Sequence, residues 1–309
     1  MTRTARVLFV AALASLSVAF APSSASADLL PPITNVVTDW SMLLPGLAAP
    51  YDANDPNICN SGKPQCVDAV AKEMTKRLAP LATSCSHNAL FALLYLDVTN
   101  HIGDAVRTDG YFQVPAVISH EDALFASYYF NAFDAWSKGD RANTPMAWQI
   151  ALDAAQNHQV QGLGDLLLGM NAHINRDLPW VLYRMGLFNS DGSSRKVDHD
   201  KVNSVLYSAY DQAIAEGARR FDSSLSQYSG PTAADSGIQS VIAWREEAWR
   251  NAERLASASS DAERALIGQQ IEDAANLEAQ AIKTAYSYDG VTSTSATRDA
   301  YCAAHHNDA

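Results

Sequence analysis

Apolar residues recur with a helical period through most of this chain after residue 64, and at several places that period turns ionisable side chains toward the face that must be buried. The clearest case is Gly169-Met170-Asn171-Ala172-His173-Ile174-Asn175-Arg176-Asp177-Leu178-Pro179. At about 100° per residue, Leu163, Leu166, Leu167, Met170 and Ile174 form one stripe, and His173 and Asp177 fall into it or on its margin. Burying an imidazole and a carboxylate without partners costs several kcal/mol. A fold that accepts this pattern must supply a metal ion, a mutual hydrogen bond or a substrate.

The same oddity recurs on other predicted helices. On the second, Leu90, Phe91, Leu94, Val98 and Ile102 set the inner face, with His87, Asp97 and His101 on it or at its edge. On the third, Phe125, Tyr129, Ala132 and Trp136 set the face and Glu121 points the same way; on the sixth, His199 and Asn203 join Val202, Leu206, Tyr210 and Ala213. Helices are expected at about 66–80, 86–107, 120–138, 145–157, 160–185, 199–221, 234–257 and 260–286, and no strand pattern competes. Ser119 before Glu121 and Asp122, Thr144 before Pro145, and Asp198 serve as start signals. Pro179 should kink or end the fifth helix, and Gly162 and Gly169 on its flank would let a neighbouring backbone approach His173. The expected fold is all-α, a single globular bundle of about seven to eight helices (65–290), preceded by an irregular N-terminal arm (28–64) and followed by a mobile tail (291–309) in which His305 and His306 have no role.

Arg3 and Arg6, an apolar run from Val7 to Ala21, and Ala25-Ser26-Ala27 form the layout of a secretory signal peptide (1–27), cleaved near Ala27. No later segment approaches ~20 continuous apolar residues, so an exported chain without a membrane span is expected. Removing the leader takes away two arginines and no acid, leaving 20 basic against 34 acidic side chains. That balance argues against nucleic-acid binding, which needs a basic face. Four cysteines in an exported chain imply two disulfides. Three pairings are possible; the turn-rich segment between Cys59 and Cys66 suits a local bridge, which leaves Cys85 with Cys302.

Helical metal proteins collect histidines and carboxylates from facing helices at spacings of three or four. The expected site therefore has His173, Asp177 and His199 as ligands of a divalent zinc, manganese or iron, His199 alternatively acting as base. Asn171 and Asn175 would orient substrate, with Asp97, His101, Glu121 and Asn203 as further candidates. No nucleotide-binding loop and no Gly-x-Ser-x-Gly elbow is present. His87 reads as a core residue, Asp97 and His101 as a pair along one helix, and Glu121 as a first-turn acid facing the helix dipole. Trp244, Ala248 and Leu255 read as core, with Arg245 stacked on Trp249.

Gly169 to Pro179, His199-Asp200-x-x-Asn203 and Trp244-Arg245-x-x-Ala248-Trp249, with Asn88–Thr99 and Tyr129-Phe130-x-Ala132, resemble an uncharacterised bacterial family, common in actinobacteria, whose hallmark is a GMNAHIN-x-DLP segment. The resemblance covers most of residues 85–257 and implies a helical domain. Within it the matching positions are Asn171, His173, Asn175, Asp177, His199 and Asn203, while Asp97 and His101 lie outside the pattern. A fainter similarity to zinc-dependent phospholipase C and secreted single-strand nucleases rests on the His173–Asp177 spacing before Pro179; their further histidine-rich elements are lacking. Two functions follow. One is a metal-dependent hydrolase of an ester or phosphodiester, acting on a small or lipid-like substrate. The other is a non-catalytic binding or envelope-associated protein with a closed His/Asp hydrogen-bond network.

Overall fold

A computed structural model describes residues 46–291 and 293–308, with only the backbone for residues 231–236. The expected leader (1–27) and the first part of the arm (28–45) lie outside the described residues. Ten α-helices follow in order: α1 (Pro64–Thr83), α2 (Ala89–Arg107), α3 (Pro115–Ser137), α4 (Met146–Gln156), α5 (Gly162–Asn171), α6 (Leu178–Met185), α7 (Lys196–Arg220), α8 (Pro231–Ser257), α9 (Asp261–Tyr286) and α10 (Ser295–His305). A π-helix (Ala172–Asp177) joins α5 to α6, and a 3-10 helix (Ser223–Tyr228) follows α7. Among the described residues the only β pairing is two isolated bridges, Val160 with Ser287 and Phe188 with Ser194. The fold is all-α.

Prolines set several starts, because their fixed φ suits the first turn and their missing N–H would be unpaired there. Pro64, Pro115, Pro179 and Pro231 all occupy the opening positions of helices. Pro115 corrects the expected start of α3 at residue 120. The Ser119 hydroxyl donates back to the Pro115 carbonyl (3.2 Å), an in-helix bond and not a cap, so Glu121 lies in the second turn, beyond the first-turn dipole. Asp198 likewise sits inside α7; its carboxylate accepts the backbone N–H groups of Gln113 and Val114 (2.7 Å each) and anchors the entry to α3.

α2 packs between α1 and α7, α5 lies against α4 and α9, and α6 against α8. The close partner of Gly169 is a side chain, not the expected backbone: a Cβ there would stand 2.5 Å from the Phe91 ring. Disulfides join Cys59 to Cys66 and Cys85 to Cys302, with Cα separations of 5.0 and 5.8 Å. The second anchors α10, so the segment expected as a mobile tail is a helix fastened to the start of α2. The bridges are compatible with an oxidising, extracytoplasmic setting. Among the described residues no helix is long and apolar enough to cross a membrane.

Candidate functional site

The predicted fifth helix is realised as three segments, α5, the π-turn and α6, and the π-turn carries both His173 and Asp177. Pro179 supplies a physical reason. It cannot donate to the carbonyl four residues back and its ring crowds that carbonyl, so widening the preceding turn relieves the clash without breaking the rod. Asn171 holds the widened turn in place by donating to the Ala275 carbonyl of α9 (2.9 Å) while accepting from Asn175 (2.9 Å). The two asparagines thus brace the turn against α9.

His173 is 3 % exposed and sits in an aromatic box. Its ring stacks on Phe125 at 3.4 Å and 4°, with Tyr95 at 4.5 Å and Phe91 and Trp148 each at 5.9 Å. Nδ1 lies 3.3 Å from Asp177 Oδ2. The same oxygen accepts the Trp148 indole N–H (2.8 Å), and Oδ1 accepts from Arg176 (2.8 Å), whose Nε in turn donates to Glu272 (2.6 Å). A carboxylate receiving three donors requires Nδ1 to carry the proton, which leaves Nε2 as a bare lone pair. Burial holds the imidazole pKa below its ordinary value against the opposing pull of Asp177, so the ring is neutral at pH 7.

Nε2 is buried and has no hydrogen-bond partner among the described residues. Neither do Tyr95 Oη and Asp122 Oδ2. All three residues line a single cavity of about 820 Å³ whose other walls are mainly apolar, among them Leu94, Val98, Ile118, Leu167, Met170 and Val241. Its lining also includes Gln227 and Ser229, which are exposed, so the hollow reaches the surface between the 3-10 helix and α8. Burial, with Glu121 beside it, pushes the Asp122 pKa well above its ordinary value, which favours the protonated carboxyl. Burial and then Asp122 raise the Tyr95 phenol likewise. The lining therefore includes a phenol, a carboxyl whose protonated form is favoured and an imidazole.

His199 belongs to a different network. Arg245, 4 % exposed, donates to the His199 carbonyl (2.6 Å), to His199 Nδ1 (3.2 Å) and to Asn203 Oδ1 (2.8 Å), while His199 Nε2 meets the Arg245 carbonyl at 3.4 Å. Both ring nitrogens are engaged, and the imidazole pKa is lowered by burial and then by the guanidinium. Glu121 stands 3.9 Å from Nδ1 and, like Arg245, lines the cavity, which His199 does not. Burial would raise Glu121, but His199 and the arginines outweigh it, and its pKa ends below the usual value. His101 donates to the Asp97 backbone carbonyl (2.8 Å), not to its carboxylate, and neither residue lines the cavity. Burial and Glu216 push Asp97 up to about 6.

Convergence of ligand-type atoms occurs elsewhere. Among the described residues, the group of three or more His, Cys, Asp or Glu donors lying within 4.8 Å of one another is His87, His158 and Asp299; His173, Asp177 and His199 form no such group. Asp177 has its oxygens occupied by Trp148, Arg176 and His173, and His199 is clasped by Arg245, which is why they do not assemble. The sequence reading missed Tyr95, Asp122 and the buried role of Arg245, which bonds His199 in place of stacking on Trp249.

Fold and site together define an all-α protein with a mainly apolar cavity whose lining includes His173, itself paired with the buried Asp177. A family model described as Family of unknown function (DUF5995) matches residues 67–285, and the chain belongs to that family. No curated protein and no solved structure matches the chain.

Proposed function

We propose that this protein binds an uncharged lipophile carrying one hydroxyl or carbonyl group, held with its polar end against His173, Tyr95 and Asp122. One observation carries the reading. Three buried polar atoms without protein partners among the described residues belong to side chains that line the same mainly apolar hollow, and each such atom costs about 1–3 kcal/mol unless something satisfies it. A cavity of about 820 Å³ falls in the range that encloses drug-sized ligands. The donor and acceptor set complements a group that both gives and takes a hydrogen bond, and the opposite charges of Glu121 and Arg245, which both line the wall, offset each other and leave no net charge there for an ionic ligand.

The test is fluorescence titration of the purified chain with N-phenyl-1-naphthylamine, followed by displacement with dodecan-1-ol, dodecanoate or dodecylamine. The expected result is one saturable site from which the alcohol displaces the probe best at neutral pH. Absence of saturable binding, or equal displacement by all three competitors, contradicts the reading.

A second reading, hydrolysis of a lipophilic ester, is favoured by the Asp177–His173 pair. Nε2 would take a proton from water as that water's oxygen bonds to the acyl carbon, Asp177 would stabilise the imidazolium, and Tyr95 or Asp122 would donate to the developing oxyanion. The proton would then pass to the leaving alkoxide as the ester C–O bond breaks. Turnover of p-nitrophenyl dodecanoate that is lost in His173→Leu would establish this reading, and binding without turnover would leave the first alone.

A further inference from the structure

The structure assigns a second site, for a zinc-type divalent metal ion, to His87, His158 and Asp299. The three come from separate places: the turn before α2, the turn between α4 and α5, and the first half of α10. His87 is completely buried, and its Nδ1 lies 2.9 Å from Asp165 Oδ2, on α5. Its Nε2 lies 3.0 Å from Asp299 Oδ1, and His158 Nδ1 lies 2.9 Å from Asp299 Oδ2. The two imidazoles are 4.2 Å apart, inclined at 31°.

Three features make this a metal geometry and not only a hydrogen-bond cluster. First, the Asp165 carboxylate takes the Nδ1 proton of His87, the usual outer-shell arrangement of a metal-binding imidazole, which directs the Nε2 lone pair at Asp299. With that tautomer two acceptors face each other, and the Arg298 guanidinium, 3.3 Å from Asp299 Oδ1, approaches the carboxylate without lying between it and the ring, so a cation between them would satisfy both. Second, tetrahedral zinc with bonds of about 2.0–2.1 Å places its donors ~3.3 Å apart; His87 Nε2 and His158 Nδ1 lie 3.0 and 2.9 Å from the two oxygens of Asp299, and one ligand atom from each of the three residues lies within 4.8 Å of the others. Third, His158 presents its ring from a left-handed backbone, φ 52°, a conformation unfavourable for a side chain with a Cβ.

The cluster is open to solvent on the side of His158 and Asp299, whose side chains are 43 % and 32 % exposed. His158 lines a groove of about 510 Å³ with Lys283, Tyr288 and Ser295, from which water or a ligand oxygen can reach the ion. Bound there, the ion would cross-link α10 to the body beside the Cys85–Cys302 bridge, which lies three residues beyond Asp299. This site is independent of the cavity and of the ligand proposed for it.

The experiment is calorimetric titration of the chelator-stripped full chain with zinc, together with the visible spectrum after cobalt substitution. One equivalent should bind, cobalt should show the intense bands of a tetrahedral mixed nitrogen–oxygen site, and zinc should raise the melting temperature. His158→Gly removes the imidazole while suiting the left-handed backbone, and Asp299→Asn keeps the side-chain shape. Each should weaken zinc binding at least tenfold with the helical circular dichroism retained, whereas His173→Leu and the His305→Ala/His306→Ala pair should leave it unchanged. No uptake of zinc, which would mean that a protonated His87 supplies the cation, overturns the proposal. So does uptake indifferent to His158→Gly and Asp299→Asn.

Discussion

Tyr95→Phe should make the ligand-free protein more stable and the liganded protein weaker at binding. The Tyr95 hydroxyl is buried and unpartnered among the described residues, whereas its ring contacts His173 (4.5 Å), Phe91 (5.9 Å), Phe125 (6.0 Å) and Tyr129 (6.0 Å). Phenylalanine keeps those contacts and deletes only the oxygen. An unsatisfied buried hydroxyl costs about 1–3 kcal/mol, so the free variant should gain about that much. With an unfolding entropy near 2.1 cal/mol/K per residue, a domain of ~260 residues gains about 2 °C per kcal/mol, so the melting temperature should rise by about 2–6 °C. A ligand that satisfies the hydroxyl relieves the same penalty, so the affinity lost should match the stability gained, roughly 5- to 150-fold in Kd. Calorimetric melting of the free protein and dodecan-1-ol displacement of N-phenyl-1-naphthylamine measure the two sides. A variant that melts lower and binds the alcohol as tightly as the parent would refute the reasoning, since the hydroxyl would then be an ordinary satisfied core group.

Asp122→Asn tests the neutral acid. Its folded pKa is raised above its unfolded value, so its favourable contribution is complete below about pH 4 and declines as pH rises toward the folded pKa. Urea unfolding from pH 4 to 8 should show the asparagine variant gaining on the parent as pH rises; parallel curves would count against a protonated Asp122. Asp177→Asn removes a buried charge from three donors and leaves the Arg176 guanidinium with Glu272, and it should cost about 3–5 kcal/mol by chemical denaturation. A loss below 1 kcal/mol would mean the network contributes little. Replacing Cys85 and Cys302 by serine opens a 217-residue loop, about 5 kcal/mol on the chain-entropy model, against about 2.4 kcal/mol for the 7-residue Cys59–Cys66 loop. Equal losses from the two bridges would show that the model's loop-length dependence does not govern here.

The helices were legible because their signal is local. Stripes such as Leu163, Leu166, Leu167, Met170 and Ile174 recur at the right period, and each predicted helix has its counterpart, the fifth divided by the π-turn. α10 was missed because its burial is tertiary: Cys302 and Arg298 are covered by the start of α2, while the segment itself reads Ser-Ala-Thr-Arg-Asp-Ala-Tyr, with little apolar period. The start of α3 was misplaced because Ser119 resembles a cap whichever way its hydroxyl turns. At the site, the His173–Asp177 pairing was visible as a four-residue spacing on one rod. What lay around it was not, since Tyr95 and Asp122 look like ordinary residues on α2 and α3 until packing places them at one hollow. The distribution of ligand-type residues was unreadable for the same reason. His87, His158 and Asp299 are separated by up to 212 positions, and only the closure of α10 onto α2 brings them together.

The account rests on His173, which lines the cavity, keeping Nε2 as an unprotonated acceptor for a ligand bound there. Nitrogen-15 NMR of imidazole-labelled protein, titrated with dodecan-1-ol at pH 7, reports on that atom directly. A pyridine-type Nε2 and a protonated Nδ1 are predicted in the free protein, with the Nε2 resonance moving saturably toward its hydrogen-bonded position at one equivalent of alcohol. A protonated Nε2 in the free protein, or a resonance unmoved when the probe has been fully displaced, would contradict it.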